Sequence, residues 1–177
     1  MVEVLKPLIQ QINFFKLFKL ELKNTGELPV KKLLTDEEFE ISEILDVICD
    51  FLEEYDQFEF NISGFNLELK VDIRYDFFSI IETIPNILLK IKKDENFTLE
   101  LFEQGIERII SFNFINNYYF VECIDLITKD SVSLVTYELD KIETRHIFQT
   151  LLDNFISYVN NIDSSFKEKE AVINWLK

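Results

Sequence analysis

Apolar side chains recur at two different periods along this chain, and the changes of period mark its elements. Ile41, Ile44, Leu45, Ile48, Leu52 and Tyr55 recur at helical spacing, with Glu43, Asp46, Asp50, Glu53 and Glu54 on the opposite face. Ahead of them, Thr35-Asp36-Glu37-Glu38 has the form of a capping box, in which a hydroxyl and a carboxylate satisfy two orphan backbone donors. Leu34 and Phe39 stand where a hydrophobic staple would clamp that start. The pattern predicts a helix over 36–56 with an entirely acidic exposed side.

The period then falls to two. Phe58, Phe60 and Ile62 alternate with polar residues, Ser63-Gly64 turns the chain, and Leu67, Leu69, Val71 and Ile73 alternate again. Two half-buried antiparallel strands are expected. Helical spacing returns over 76–91 in Phe77, Ile80, Ile81, Ile84, Leu88 and Ile91, with Pro85 predicting a kink or a division into two short helices. Strands are expected at 97–103, 106–114 and 117–126, the last two joined through Asn116-Asn117, with a further strand at Ser131–Glu138. Asp140 is placed to cap a long helix with Ile147, Phe148, Leu151, Leu152, Phe155, Val159 and Ile162 as its stripe. Ser165 is placed to cap a last helix that turns Val172, Trp175 and Leu176 inward. Residues 1–23 are expected to form a helix passing into a short strand. Helices and strands in blocks predict one α+β domain over 1–177, an antiparallel meander of five to six strands packed with helices.

Composition supports a packed core. Hydrophobic residues make up 47% of 177 residues, Phe alone contributes 18, and only three Gly and three Pro occur. Disordered and low-complexity classes are thereby excluded. Lys6, Gln10, Gln11, Asn13, Lys16 and Lys19 interrupt the apolar residues at the start, so no signal-peptide core is expected there. No uninterrupted apolar run approaches the ~20 residues of a membrane span, and a cytoplasmic location is expected.

The net charge of −15 is concentrated. Residues 1–32 carry six Lys and three Glu, and residues 70–177 carry twelve bases and eighteen acids. Residues 33–69 hold twelve acids and neither Lys nor Arg. Such a segment repels nucleic acid and anionic membranes and attracts basic surfaces. A solvated stripe would be served equally by mixed signs, so the missing bases favour docking to a basic partner. The residues expected to carry that contact are Glu43, Asp46, Asp50, Glu53 and Glu54.

Catalytic equipment is sparse. The single histidine, His146, is flanked by Arg145 and lacks the sequence company of a triad. Gly26, Gly64 and Gly105 are too few for a phosphate-binding loop, and the acid-rich 36–59 segment lacks the glycine of a calcium loop. Cys49 and Cys123 lie in apolar stretches without zinc-ligand spacing and read as core thiols. Glu100, Glu103, Glu107, Glu122 and Asp125 are candidates for a carboxylate pair of glycosidase type, although strand alternation alone places acids on a solvent face. The corner Glu103-Gln104-Gly105-Ile106-Glu107-Arg108 reads as a turn, with a recognition surface as its alternative. No enzyme, cofactor or metal is expected.

The acidic helix, the strand meander with its Glu103–Arg108 corner and the closing helix with Trp175 resemble the immunity proteins of bacterial polymorphic toxin and contact-dependent inhibition systems. That resemblance implies a protein partner, a basic toxin domain such as a nuclease, whose active site or substrate path is occluded. A structural or adaptor subunit of a larger complex is the alternative.

Overall fold

The computed structural model describes residues 18–35, 38–65, 67–102, 107–128 and 136–177. In chain order these form β1 (Lys19–Asn24), α1 (Ile41–Glu54), β2 (Phe58–Gly64), β3 (Leu67–Val71), α2 (Phe78–Lys92), β4 (Phe97–Leu101), β5 (Arg108–Ile115), β6 (Tyr118–Asp125), β7 (Tyr137–Asp140), α3 (Lys141–Ile162) and α4 (Glu170–Trp175). The fold is α+β. Its strands divide into two antiparallel sheets, ordered β1-β2-β3 and β4-β5-β6-β7. The expected helix at the N-terminus and the Glu103–Ile106 part of the corner lie outside the described residues. So does most of the Ser131–Glu138 strand, whose described part joins β7.

The hairpins form where turn chemistry allows them. Asn116 and Asn117 take positive φ of 52° and 73°, the pairing of a type I′ turn, and β5 and β6 zip from there with Ile115 opposite Tyr118. At the β2–β3 turn, Gly64 has φ 151°, and a Cβ there would come 3.1 Å from the Phe18 ring. The close approach and the conformation both call for glycine.

Phe18, just ahead of β1, joins the two sheets. Its ring lies 6.0 Å from Phe65, 5.6 Å from Phe112 and 6.3 Å from Tyr137. The Tyr137 hydroxyl accepts the Phe65 N–H at 2.9 Å. The aromatic seam continues through Phe112, which stacks on Phe97 at 4.4 Å, to Phe148 of α3. Helix α3 begins as its sequence predicts, with the Asp140 carboxylate accepting the Glu143 N–H at 2.7 Å. Along it, Phe148, Leu151, Leu152, Phe155, Val159 and Ile162 are buried, and Ile147 is half-buried.

Helix α2 runs unbroken through Pro85 rather than as two short helices. It is preceded by a π-helical turn, Ile73–Phe77, capped by Asp72, which accepts the Tyr75 N–H at 2.7 Å. The turn carries the buried Asp76, which accepts the Phe102 N–H at 2.8 Å, and sets Phe77 4.8 Å from Phe60.

Helix α1 starts at Ile41, several residues later than the Thr35 capping box predicts. The segment before it is held by a distant residue. The N–H groups of Leu33 and Leu34 both donate to Asp163 Oδ2, at 2.7 and 2.9 Å, at the end of α3. The Thr35 carbonyl accepts from the Lys169 ammonium. Glu40 is the N-cap, and Glu43 Oε2 accepts its N–H at 2.8 Å. Leu34 is buried as a staple residue would be, but against that latch. Glu43→Ala is therefore expected to cost about 0.5–1.5 kcal/mol, the scale of a helix cap. Thr35→Ala, at an exposed side chain, should fall within about 0.5 kcal/mol of the wild type. Urea melts of both variants check the assignment, and the reverse order would contradict it.

At the C-terminus, Ser165 does not cap a helix, because its hydroxyl donates to Asp163 Oδ1 at 2.7 Å. A 3-10 turn over Phe166–Glu168 and the short α4 follow. Val172 is buried, and Trp175 Nε1 donates to the Glu82 carbonyl at 2.9 Å, seating α4 on α2. Leu176, expected to pack inward, is 40% exposed because α4 ends at Trp175.

Candidate functional site

The apolar face of α1 is as its spacing predicts, with Ile44, Leu45, Ile48, Cys49 and Leu52 buried. Glu43, Asp46, Glu53 and Glu54 are exposed on the other side, and Asp50 is partly exposed. The side is not entirely acidic. Arg74, from the π-helical turn, sets Nε 2.7 Å from Asp50 Oδ1 and donates through Nη2 to Oδ2 at 3.1 Å. Two further acids act inside the fold. Glu43 closes the helix start, and Glu53 Oε2 accepts the Ile73 N–H at 3.4 Å. Asp46 and Glu54 make no hydrogen bond or ion pair among the described residues. The stretch of sequence without bases is thus partly matched in space: besides Arg74, Lys70 pairs with Glu59 at 3.0 Å, and the Lys31 ammonium lies 5.1 Å from the centre of the Phe51 ring.

Unmatched charge gathers at the N-terminal end of α1. A groove of about 500 Å³ has Glu38, Glu40 and Glu43 on one wall and Glu168 and Glu170 on the other. Phe39 and Ile44 contribute apolar surface to it. Its one base, Lys169, is turned to the Thr35 carbonyl. The positive end of the α1 dipole eases the crowding of carboxylates here. A smaller groove of about 220 Å³ lies at the other end, where Glu53, Asp56, Glu59 and Asp72 surround Lys70. Glu168 and Glu170 were invisible to sequence reasoning, being more than a hundred residues from α1 with no local signal to couple them.

No family model matches the chain, and neither a curated protein nor a solved structure does. The acidic surface is therefore read from its own chemistry.

The other candidate groups do not assemble. Among the described residues no three His, Cys, Asp or Glu side chains are grouped to hold a metal ion. His146 is exposed, and its Nδ1 is 3.5 Å from the Thr150 hydroxyl one helical turn away. Both cysteines are buried and unpaired with each other. Burial, with Asp46 and Asp50 nearby, pushes the Cys49 thiol far above its ordinary range, and burial pushes Cys123 up to about 11. Neither thiol is poised to ionise at neutral pH. Glu100, on the edge strand β4, lines a groove with Ser79 and Thr83 of α2, whereas Glu122 is not among the residues lining that groove and lies on β6 opposite Ser111, so the two do not share a cleft. Asp125 spends its carboxylate on the Ile127 and Thr128 amides at 2.9 and 3.0 Å. Among the described residues no helix is long and apolar enough to cross a membrane.

Proposed function

We propose that this protein is a non-catalytic binding protein that captures a basic protein partner through the acidic end of its helical layer. The observation that carries the reading is the groove between α1 and α4, lined by five glutamates and by one lysine whose ammonium is already engaged. A surface of one sign steers an oppositely charged partner and raises its encounter rate. Lys- or Arg-rich active-site rims, such as those of nucleases, are the natural complement. The resemblance to immunity proteins gives such a partner a role: a toxin domain that this protein occludes.

The adaptor reading keeps one observation of its own, the internal use of Glu43, Asp50 and Glu53. In it, part of the acidity serves the fold and the rest solvates the surface.

Affinity capture from the native host with mass spectrometry identifies the partner, and stopped-flow association then separates the readings. Asp46→Asn with Glu54→Gln, and Glu168→Gln with Glu170→Gln, remove charge without removing a hydrogen bond seen among the described residues. Each pair is expected to slow association several-fold at low salt and to flatten its salt dependence. Unchanged rates in both variants would assign the acids to solvation and favour the adaptor.

A further inference from the structure

The outer sides of the two sheets differ in kind. Alternation along the three-stranded sheet turns Lys19, Glu21, Lys23, Glu59, Glu68 and Lys70 away from the core, an ordinary solvated face of mixed sign. In the four-stranded sheet the buried positions are Phe97, Leu99 and Leu101 of β4, Ile110 and Phe112 of β5, Tyr119, Val121 and Cys123 of β6, and Tyr137 and Leu139 of β7, on the side that meets α3. The alternate positions face away from it, and many of them are apolar.

Strand register sets these outer residues into rows. Ile109 lies between Glu100 and Ile124. Phe120 lies between Asn113 and Glu138, and Ile115 pairs with Tyr118. Ile115 is 51% exposed, Tyr118 42% and Ile124 36%, while Ile109 and Phe120 are half-buried. The acids Glu100 and Glu138 stand on the two edge strands, with Glu122 between them. They form no ion pair among the described residues, and no Lys or Arg occupies an outward position of β4 to β7.

The Ser111–Glu122 row divides the apolar residues into two groups, Ile109 with Ile124 and Phe120 with Ile115 and Tyr118. Aliphatic and aromatic side chains thus alternate with charge of one sign, a layout suited to a protein partner of opposite sign. We infer that the outer face of β4–β7 is a second docking face, for a protein surface that presents aliphatic side chains between Lys or Arg residues. A second copy of this chain would set acids against acids on a face that holds no base. An anionic lipid surface would be repelled by the same acids. The face lies on the side of the sheet away from α3, so its occupant contacts residues different from those of the α1–α4 groove.

The test uses the full chain, ¹⁵N-labelled, and three synthetic peptides as probes: alternating Arg-Leu, alternating Arg-Gly and alternating Glu-Leu. The Arg-Leu peptide is expected to shift the amides of β5 and β6 in a saturable manner and to bind about tenfold more tightly than either of the others. Tyr118→Ser with Ile124→Ser should weaken it by about tenfold. Glu122→Gln with Glu138→Gln should weaken it several-fold and lower its salt dependence, and this pair keeps the test valid should the first unfold the sheet. Shifts confined to α1 and to Glu168–Glu170 would overturn the second face while leaving the acidic groove standing. Equal binding of the Glu-Leu peptide, or no sheet shifts with any probe, would also overturn it. So would a concentration-dependent dimer in sedimentation that Tyr118→Ser with Ile124→Ser abolishes. Stopped-flow rates of the groove variants report on the groove independently.

Discussion

Phe112→Ala is expected to lower stability by about 3–5 kcal/mol, the cost of removing a fully buried ring and leaving a cavity. Phe112 is wholly buried and is shared by several elements. It stacks on Phe97 of β4 and meets Phe148 of α3 at 5.5 Å and Phe18 ahead of β1 at 5.6 Å, so one deletion loosens both sheets and the helical layer. Phe112→Leu, which keeps most of the volume, should cost distinctly less. Urea denaturation followed by circular dichroism measures both. A loss below about 1 kcal/mol for the alanine variant would show that the seam does not join the sheets.

The second large effect belongs to Asp163. Its carboxylate is buried and accepts four hydrogen bonds: Leu33 and Leu34 amides on Oδ2, and the Ser165 amide and hydroxyl on Oδ1. Asp163→Ala strands the Leu33 and Leu34 amides beside the core, and about 2–5 kcal/mol is expected from unsatisfied buried donors. The effect depends on pH in a definite direction. Burial acts to raise the carboxyl's pKa, but the bonds from Leu34, Ser165 and Leu33 outweigh it and hold it below the ordinary value. The folded state therefore binds this proton less readily than the unfolded state. The contribution is complete above the ordinary carboxylate range and is lost as pH falls through the lowered folded value. The stability difference between wild type and Asp163→Asn should accordingly shrink on acidification. A difference that stays constant into acid would show that the latch does not depend on the ionised form.

Asp163 also explains where sequence reading succeeded and where it stopped. Elements set by local chemistry were legible: the Asp140 cap with its stripe on α3, the Asn116-Asn117 turn, and the alternation of β2 and β3. The start of α1 was not, because Asp163 pins Leu33 and Leu34 from the far end of the chain and leaves Thr35 no helix to cap. Arg74 was likewise invisible as the partner of Asp50, since charge counted along the chain ignores what folds across it. The split into two sheets follows from the helical block between β3 and β4, which periodicity located without revealing that it interrupts the pairing. The outer side of β5 and β6 carries a signal of its own in the sequence. Ile109, Ile115, Phe120 and Ile124 interleave with buried apolar residues, so these strands are apolar on both sides, unlike a sheet with one wet face.

The lone tryptophan gives this molecule a built-in optical gauge. Trp175 is half-buried with its indole N–H on the Glu82 carbonyl, so emission excited selectively from tryptophan, apart from the six tyrosines, reports the seating of α4 on α2. Because Asp163 holds the chain only a few residues ahead of α4, protonating it should redden and weaken that emission. Far-ultraviolet dichroism, dominated by α1, α2 and α3, would follow at lower pH, and the gap between the two curves would time the release of the latch against the collapse of the core.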